Sequence, residues 1–284
     1  MKEKTEESWD LIIQPKRNLL DIPFREVIQY RDLISLFIKR DFVIQYKQTI
    51  LGPLWFIVSP LISTIMYTFV FGNLAKLSTD GIPHILFYYG GTMLWTFFSD
   101  CFINATDIFS NNINLFGKVY FPRLTVPISN VALNATKLGI QFLFLLCFFV
   151  YYFVTTDLLN PSFAIFAFPV LLIWIATMAT GAGMIVSSLT TKYKDLRHLV
   201  GFALGLAMYA TPVVYPLSEI PAQFKWLVYV NPMCAPMELF RIWFYGAGNV
   251  SQGVIILSVC TTILLGFLGL IMFNQNDQNF IDVM

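Results

Sequence analysis

The chain has 284 residues, of which 57% are hydrophobic and only 12% charged, with a net charge of +1 and a mean hydropathy of +0.67. Soluble domains carry roughly 25% charge and about 45–50% apolar residues, and here the apolar residues stand in long uncharged runs. That balance excludes a disordered chain, a nucleic-acid binder and an ordinary cytosolic enzyme, and it defines an integral membrane protein.

In chain order, residues 1–29 carry five basic and six acidic side chains and read as a cytosolic tail with little core of its own. Residues 1–10 are polar and contain no apolar h-region, so no cleaved signal peptide is expected. Residues 30–47 predict an amphipathic helix lying flat in the headgroup layer. Helical spacing places Tyr30, Leu33, Ile34, Phe37 and Ile44 on one face, with Arg31, Asp32, Ser35 and Lys39 opposite. Arg40 and Asp41 turn back toward the apolar face, which is costly unless they are paired and argues for more than a plain anchor.

A helix needs about 20 apolar residues to cross ~30 Å of hydrocarbon. Within a membrane domain at 48–276, six segments meet that length: 54–75, 84–104, 126–154, 163–188, 199–217 and 253–273. The apolar stretch at 226–237 is too short and is interrupted by Pro232, so it reads as a pair of short re-entrant or interfacial helices. Residues 277–284 read as a second cytosolic tail. The expected fold class is thus all-α integral membrane, with six transmembrane helices behind an interfacial helix. Of the 18 basic residues, 14 fall on the side of the termini, three on the other side, and Lys137 within a span. The excess of basic residues assigns both termini to the cytosol.

The chain offers no energy source of its own. It lacks a GxxxxGK[ST] phosphate loop, and no Ser/His/Asp or Cys/His arrangement supports covalent catalysis. No catalytic residue and no metal site is expected: the four cysteines have no ligand spacing, and His84 and His198 stand alone near opposite faces. Two ionisable side chains lie inside predicted spans, Asp100 and Lys137. An intramembrane charge is a functional candidate by default, so a proton or substrate path is one reading. The other is a structural pair, because Asp100 stands 17 residues before Gly117 at the hairpin turn and Lys137 stands 20 after it. The loop at 106–125 sets Phe116, Tyr120 and Phe121 beside Lys118 and Arg123. Aromatic and basic side chains together compose a docking surface, with an interfacial aromatic belt as the alternative.

Several local sequences then come in a recognisable order. They include Tyr30-Arg31-Asp32-Leu33, Arg40-Asp41-Phe42, the stretch Tyr46-Lys47-Gln48-Thr49-Ile50-Leu51-Gly52-Pro53-Leu54-Trp55, and Pro60-Leu61. Phe71-Gly72, Lys118-Val119-Tyr120-Phe121-Pro122-Arg123, Tyr193-Lys194-Asp195-Leu196-Arg197 and Pro212-Val213-Val214-Tyr215-Pro216 follow. Asn231-Pro232-Met233, Glu238-Leu239-Phe240-Arg241 and Phe280-Ile281-Asp282-Val283 complete the set. From about residue 9 onward the chain resembles the ABC-2 type permease subunit of bacterial polysaccharide exporters, the group that handles O-antigen, capsule and teichoic acid.

The resemblance implies a half-transporter of the inner membrane. Two copies form the pore, and two copies of a separate ATPase bind ATP and Mg below it, leaving this chain without a cofactor. The implied cargo is a polysaccharide or polyol-phosphate chain on a polyprenyl lipid. By the same resemblance, the ATPase-coupling residues are Arg40, Asp41, Phe116, Gly117, Lys118, Tyr120, Pro122 and Arg123. A periplasmic gate would hold Pro216, Pro221, Asn231, Pro232, Glu238 and Arg241.

The cargo sets two physical demands. A lipid-linked phosphate wants cations at its inner mouth, and Arg40, Lys47, Lys118 and Arg123 are available. Sugars pass over aromatic faces, for which Trp55, Tyr67, Phe69, Tyr88, Tyr89, Trp95, Tyr209 and Tyr215 are candidates. Pro53 and Pro60 with Trp55 at the first span, and Pro212 and Pro216 late in the fifth, predict a lateral gate, since proline bends or ends a helix. A permease for a small drug or simple lipid is the alternative, and a membrane transferase would need a carboxylate cluster that the sequence lacks.

Overall fold

Two pieces of helix precede the membrane bundle, α1 (Phe24–Gln29) and α2 (Arg31–Tyr46). The computed structural model describes residues 24–116, 121–156, 158–192 and 195–282. Most of the predicted tail at 1–29 and the residues Gly117, Lys118 and Tyr120 therefore lie outside the described residues. The apolar face of α2 is used only in its first half. Phe37 is buried and meets the Phe121 ring edge-on at 5.9 Å, and Tyr30, Leu33 and Ile34 pack around the same cluster. Ile44, expected on that face, is 63% exposed.

The next segment enters through a 3-10 turn, Gly52–Leu54, where Pro53 sits in a first turn that needs no N–H from it. It continues as α3 (Trp55–Tyr67) and finishes as a π-helical stretch, Thr68–Leu74, in which the Ala75 N–H reaches the Val70 carbonyl at 2.9 Å. The wide turn brings Gly72 against His84: a Cβ on Gly72 would stand 2.7 Å from His84 Cδ2.

At the centre lies α4 (His84–Thr106), buried without interruption from Leu86 to Trp95. It is flanked by α6 (Thr125–Thr155) and α7 (Phe168–Lys192), and α11 (Gln252–Asp282) packs against α7; α5 (Ile108–Phe116) follows α4 in the chain. Lipid is as apolar as leucine, so helices in it associate by close packing rather than by a hydrophobic drive. Small residues make this possible. A Cβ on Gly181 would lie 2.6 Å from the Leu265 carbonyl of α11, and one on Gly183 2.5 Å from the Phe102 carbonyl of α4. At one end of α4, Phe87, Tyr88 and Tyr89 join Phe240, Phe244 and Tyr245 in the main apolar cluster.

Among the described residues, four stretches are long and apolar enough to cross a membrane: Gly52–Leu74, Thr125–Thr155, Phe163–Thr190 and Gln252–Gln275. The predicted fifth span is the clearest departure. Its helix, α8 (Leu196–Tyr209), has 14 residues and stops well short of residue 217. Pro212 disfavours helix at the residue before it, and the chain from Ala210 to Pro216 runs irregularly while Thr211, Pro212, Val213 and Val214 are buried. Pro212 and Pro216 thus lie behind a helix end rather than within a helix. Two more helices follow, α9 (Lys225–Val230) and α10 (Cys234–Tyr245). The predicted tail at 277–284 is helical as far as Asp282, where α11 ends.

Candidate functional site

Pro60 lies inside α3, so its nitrogen cannot donate to the carbonyl four residues back, that of Phe56. Gln141 of α6 supplies the missing donor, its Nε2 reaching Phe56 O at 3.0 Å. The bend opens a pocket of about 280 Å³ between α3, α4, α6 and α8. One wall carries Trp55, Phe56, Ser59, Ser63 and Tyr67 from α3, and the facing wall carries Thr92, Trp95, Thr96 and Asp100 from α4. Lys137 and Gln141 of α6 and Met208 of α8 close it. The Tyr67 hydroxyl lies 3.8 Å from Met208 Sδ and links α3 to α8.

Asp100 and Lys137 meet in this pocket. Lys137 Nζ stands 3.6 Å from Asp100 Oδ2 and donates to Asn134 Oδ1 at 3.1 Å. Asn134 in turn lies 3.6 Å from the Cys101 sulfur and accepts from Asn104 at 3.5 Å. The carboxylate is thus held by α4 and its counter-charge by α6, with the Phe56 ring 6.0 Å from the ammonium. A charge in a bilayer is costly, and such side chains pair or face a polar cavity; this pair does both.

At the opposite end from α2, α10 ties down the irregular segment. Arg241 donates to Glu238 Oε1 at 2.6 Å and to the Pro212 carbonyl at 2.5 Å, and its guanidinium lies 4.0 Å from the centre of the Phe87 ring. Asn231 Nδ2 donates to the Ala210 carbonyl at 3.1 Å and to Thr211 Oγ1 at 2.8 Å. The Pro232 carbonyl accepts from Ser258. Burial pushes the Glu238 carboxyl above its ordinary range, while Arg241 pulls it back down. Burial, aided by the nearby Glu238 charge, pushes the Cys234 thiol up to about 12. Of the residues expected here, Arg241 with Glu238, and separately Asn231, bond the irregular segment at 210–212, Pro232 is tied to Ser258 of α11, and Pro221 caps a separate short turn at Ala222–Phe224.

At the α2 end, Phe116 and Phe121 turn inward, with ring centres 5.9 Å apart, and Arg123 lies 5.3 Å from the Phe116 ring. The sequence expects these aromatics on a docking surface; instead they and Pro122 are buried beneath α2, because an apolar helix face in water needs a cover. Arg40 and Asp41 pair with each other at 2.7 Å on the exposed side of α2 rather than turning inward as the helical spacing suggests, and Arg40 lies 4.8 Å from the Phe37 ring. Lys47, Pro53 and Trp55 are exposed, and Pro60 is buried. Among the aromatic candidates for the passage, Tyr88 and Tyr89 are wholly buried in the core, whereas Trp55, Tyr67 and Trp95 line the pocket. Sequence reasoning missed Gln141, Asn134 and the ion pair of Asp107 with Arg197 at 2.7 Å, which joins the end of α4 to the start of α8.

A bundle of this kind, without strands among the described residues and with polar groups gathered between helices, is that of a membrane transport subunit. Residues 32–245 match the ABC-2 type transporter family, and the chain belongs to it. An O-antigen export system permease protein of Klebsiella pneumoniae, RfbA, is 26% identical over 254 residues, which cover 89% of this chain and 95% of that protein. The RfbA of Myxococcus xanthus is 27% identical over 223 residues, covering 78% and 83%. CtrC, a capsule polysaccharide export inner-membrane protein of Neisseria meningitidis, is 22% identical over 230 residues, covering 78% and 81%.

Proposed function

We propose that this chain is the membrane half of an ATP-driven exporter that carries a polysaccharide or polyol-phosphate polymer, borne on a polyprenyl lipid, out of the cytosol. The observation that carries the reading is similarity along most of the chain to permeases of both O-antigen and capsule export. That breadth favours a saccharide cargo over a small drug or simple lipid. Two copies build the passage, and a separate ATPase supplies the power stroke.

Six crossings with both termini in the cytosol fit this role. At 23 residues α4 is about 34 Å long, enough to cross despite its polar pocket wall. The fifth crossing combines α8 with the irregular segment behind it, tolerated at membrane depth because neighbouring residues cover it and satisfy its carbonyls. The cluster of Asn231, Glu238 and Arg241 then holds the outer gate, while Pro53, Trp55 and Pro60 mark the side through which lipid enters. Arg40, Lys47, Lys118 and Arg123 are the cations that receive the phosphate at this mouth.

Coupling runs through a buried joint rather than through exposed aromatics. Phe37 of α2 meets Phe121, and Phe121 meets Phe116 at the end of α5, so a force on α5 or α2 moves both. Asp107 and Arg197 pass the motion to α8. Deleting the gene and probing for lipid-linked polymer trapped inside the cell tests the function. Absence of trapped polymer in a strain that makes it would refute the reading, as would nucleotide hydrolysis by the isolated chain.

A further inference from the structure

We infer that the pocket between α3, α4, α6 and α8 is a binding site for an uncharged sugar ring, distinct in chemistry from any phosphate-binding mouth; this rests on the exporter reading above. Its position is the first observation. The other face of α3 is apolar, with Ile62, Ile65 and Met66 all more than half exposed. The pocket face of the same helix carries Ser59 and Ser63, and α4 opposes them with Thr92 and Thr96. These hydroxyls stand on both sides of a gap of about 280 Å³ that the packing of the four helices leaves open.

The direction of the hydrogen bonds is the second. Ser63 donates to the Ser59 carbonyl at 3.2 Å, and Thr92 donates to the Tyr88 carbonyl at 2.8 Å. These two hydroxyls have spent their protons on their own helices and keep acceptor lone pairs. The Asp100 carboxylate adds further acceptors. A ligand that satisfies this lining must bring several O–H donors, as a sugar does.

Charge and shape make the third. Asp100 and Lys137 compensate each other at 3.6 Å, so the pocket has no net charge with which to hold a phosphate. Trp55 and Trp95 supply flat apolar faces for the C–H side of a ring, and such a contact lets a polymer move on as easily as it arrives. The volume lies near the lower edge of the roughly 300–1,000 Å³ found for ligand pockets, suited to one residue of a chain at a time.

The test places a reporter thiol in the pocket. Ser59→Cys and, separately, Ser63→Cys are made in the full chain, which is purified into lipid nanodiscs. Modification of each new thiol by a charged methanethiosulfonate reagent is followed by peptide mass spectrometry, with maltotriose or inorganic phosphate as the competing probe. Maltotriose at about four times its Kd should slow modification about fivefold, and phosphate should leave the rate unchanged. Equal rates with and without maltotriose, or slowing by phosphate, overturn the site. The deletion strain separates the two readings. Trapped polymer with an unprotected thiol overturns the sugar pocket alone, whereas a protected thiol without trapped polymer supports the pocket and overturns the exporter.

Discussion

Gln141 donates its Nε2 to the carbonyl of Phe56 at 3.0 Å, across from one helix to another, at the place where Pro60 deprives that carbonyl of its helical donor. The bend in α3 is therefore held by α6. Gln141→Leu should leave a polar group unpaired at a cost of about 1–3 kcal/mol, visible as a lower Tm in detergent. Pro60→Ala restores an N–H to the helix, so Gln141→Leu made on top of it should cost almost nothing. Additive losses in that cycle would show that the two residues act independently.

The Asp100–Lys137 pair makes a second cycle. Asp100→Asn and Lys137→Gln should each lower thermal stability, and the double variant should lose less than the two together, by about 1 kcal/mol. A lone ammonium or carboxylate in the pocket is worse than neither.

Arg241 spans two partners that a lysine cannot reach together, the Glu238 carboxylate through Nη1 and the Pro212 carbonyl through Nη2. Arg241→Met should cost about 3–5 kcal/mol because a buried carboxylate is left behind, and Arg241→Lys should cost less, about 1–3 kcal/mol, because it keeps a charge for Glu238 and leaves only the Pro212 carbonyl without its donor. Protein level in the membrane and Tm read the loss. Glu238→Gln, which leaves no orphaned acid, should be the milder change.

Gly181 lies where α7 and α11 touch backbone to backbone. Gly181→Val must push the helices apart and should cost upward of about 1–3 kcal/mol, whereas Gly201→Ala, with nothing within 4 Å of the new Cβ, should be silent. Limited proteolysis of the purified chain compares them.

Phe116→Ala should lower the amount of folded protein as well as export, at about 3–5 kcal/mol for an emptied aromatic site, because the ring is packed between Phe109 and Phe121. The reversed pair Asp107→Arg with Arg197→Asp is the cleaner probe of coupling. It should export better than either single change, since an exposed pair at 2.7 Å depends on charge more than on shape.

The apolar runs of the sequence are enough to read a helical membrane protein, since hydrocarbon accepts long segments only as helices or closed barrels. They also locate the starts of α4, α6 and α11 within a few residues. Asp100 and Lys137 were visible as a possible pair from their similar distances to the turn, 17 and 20 residues. What hydropathy cannot register is where a backbone carbonyl finds its partner. The end of α8 at Tyr209 depends on Asn231 and Arg241, which come 20 and more residues later.

The burial of Phe116 and Phe121 was equally hidden, because a residue's composition does not tell which neighbour will cover it. Alone, the sequence determined the solvent, the helices and the family, all of which follow from local composition and ordered motifs. Only the tertiary structure decided which helix ends early, which carbonyl Gln141 serves and where hydroxyls face a gap. Those are matters of pairing between distant residues, and pairing is settled in three dimensions.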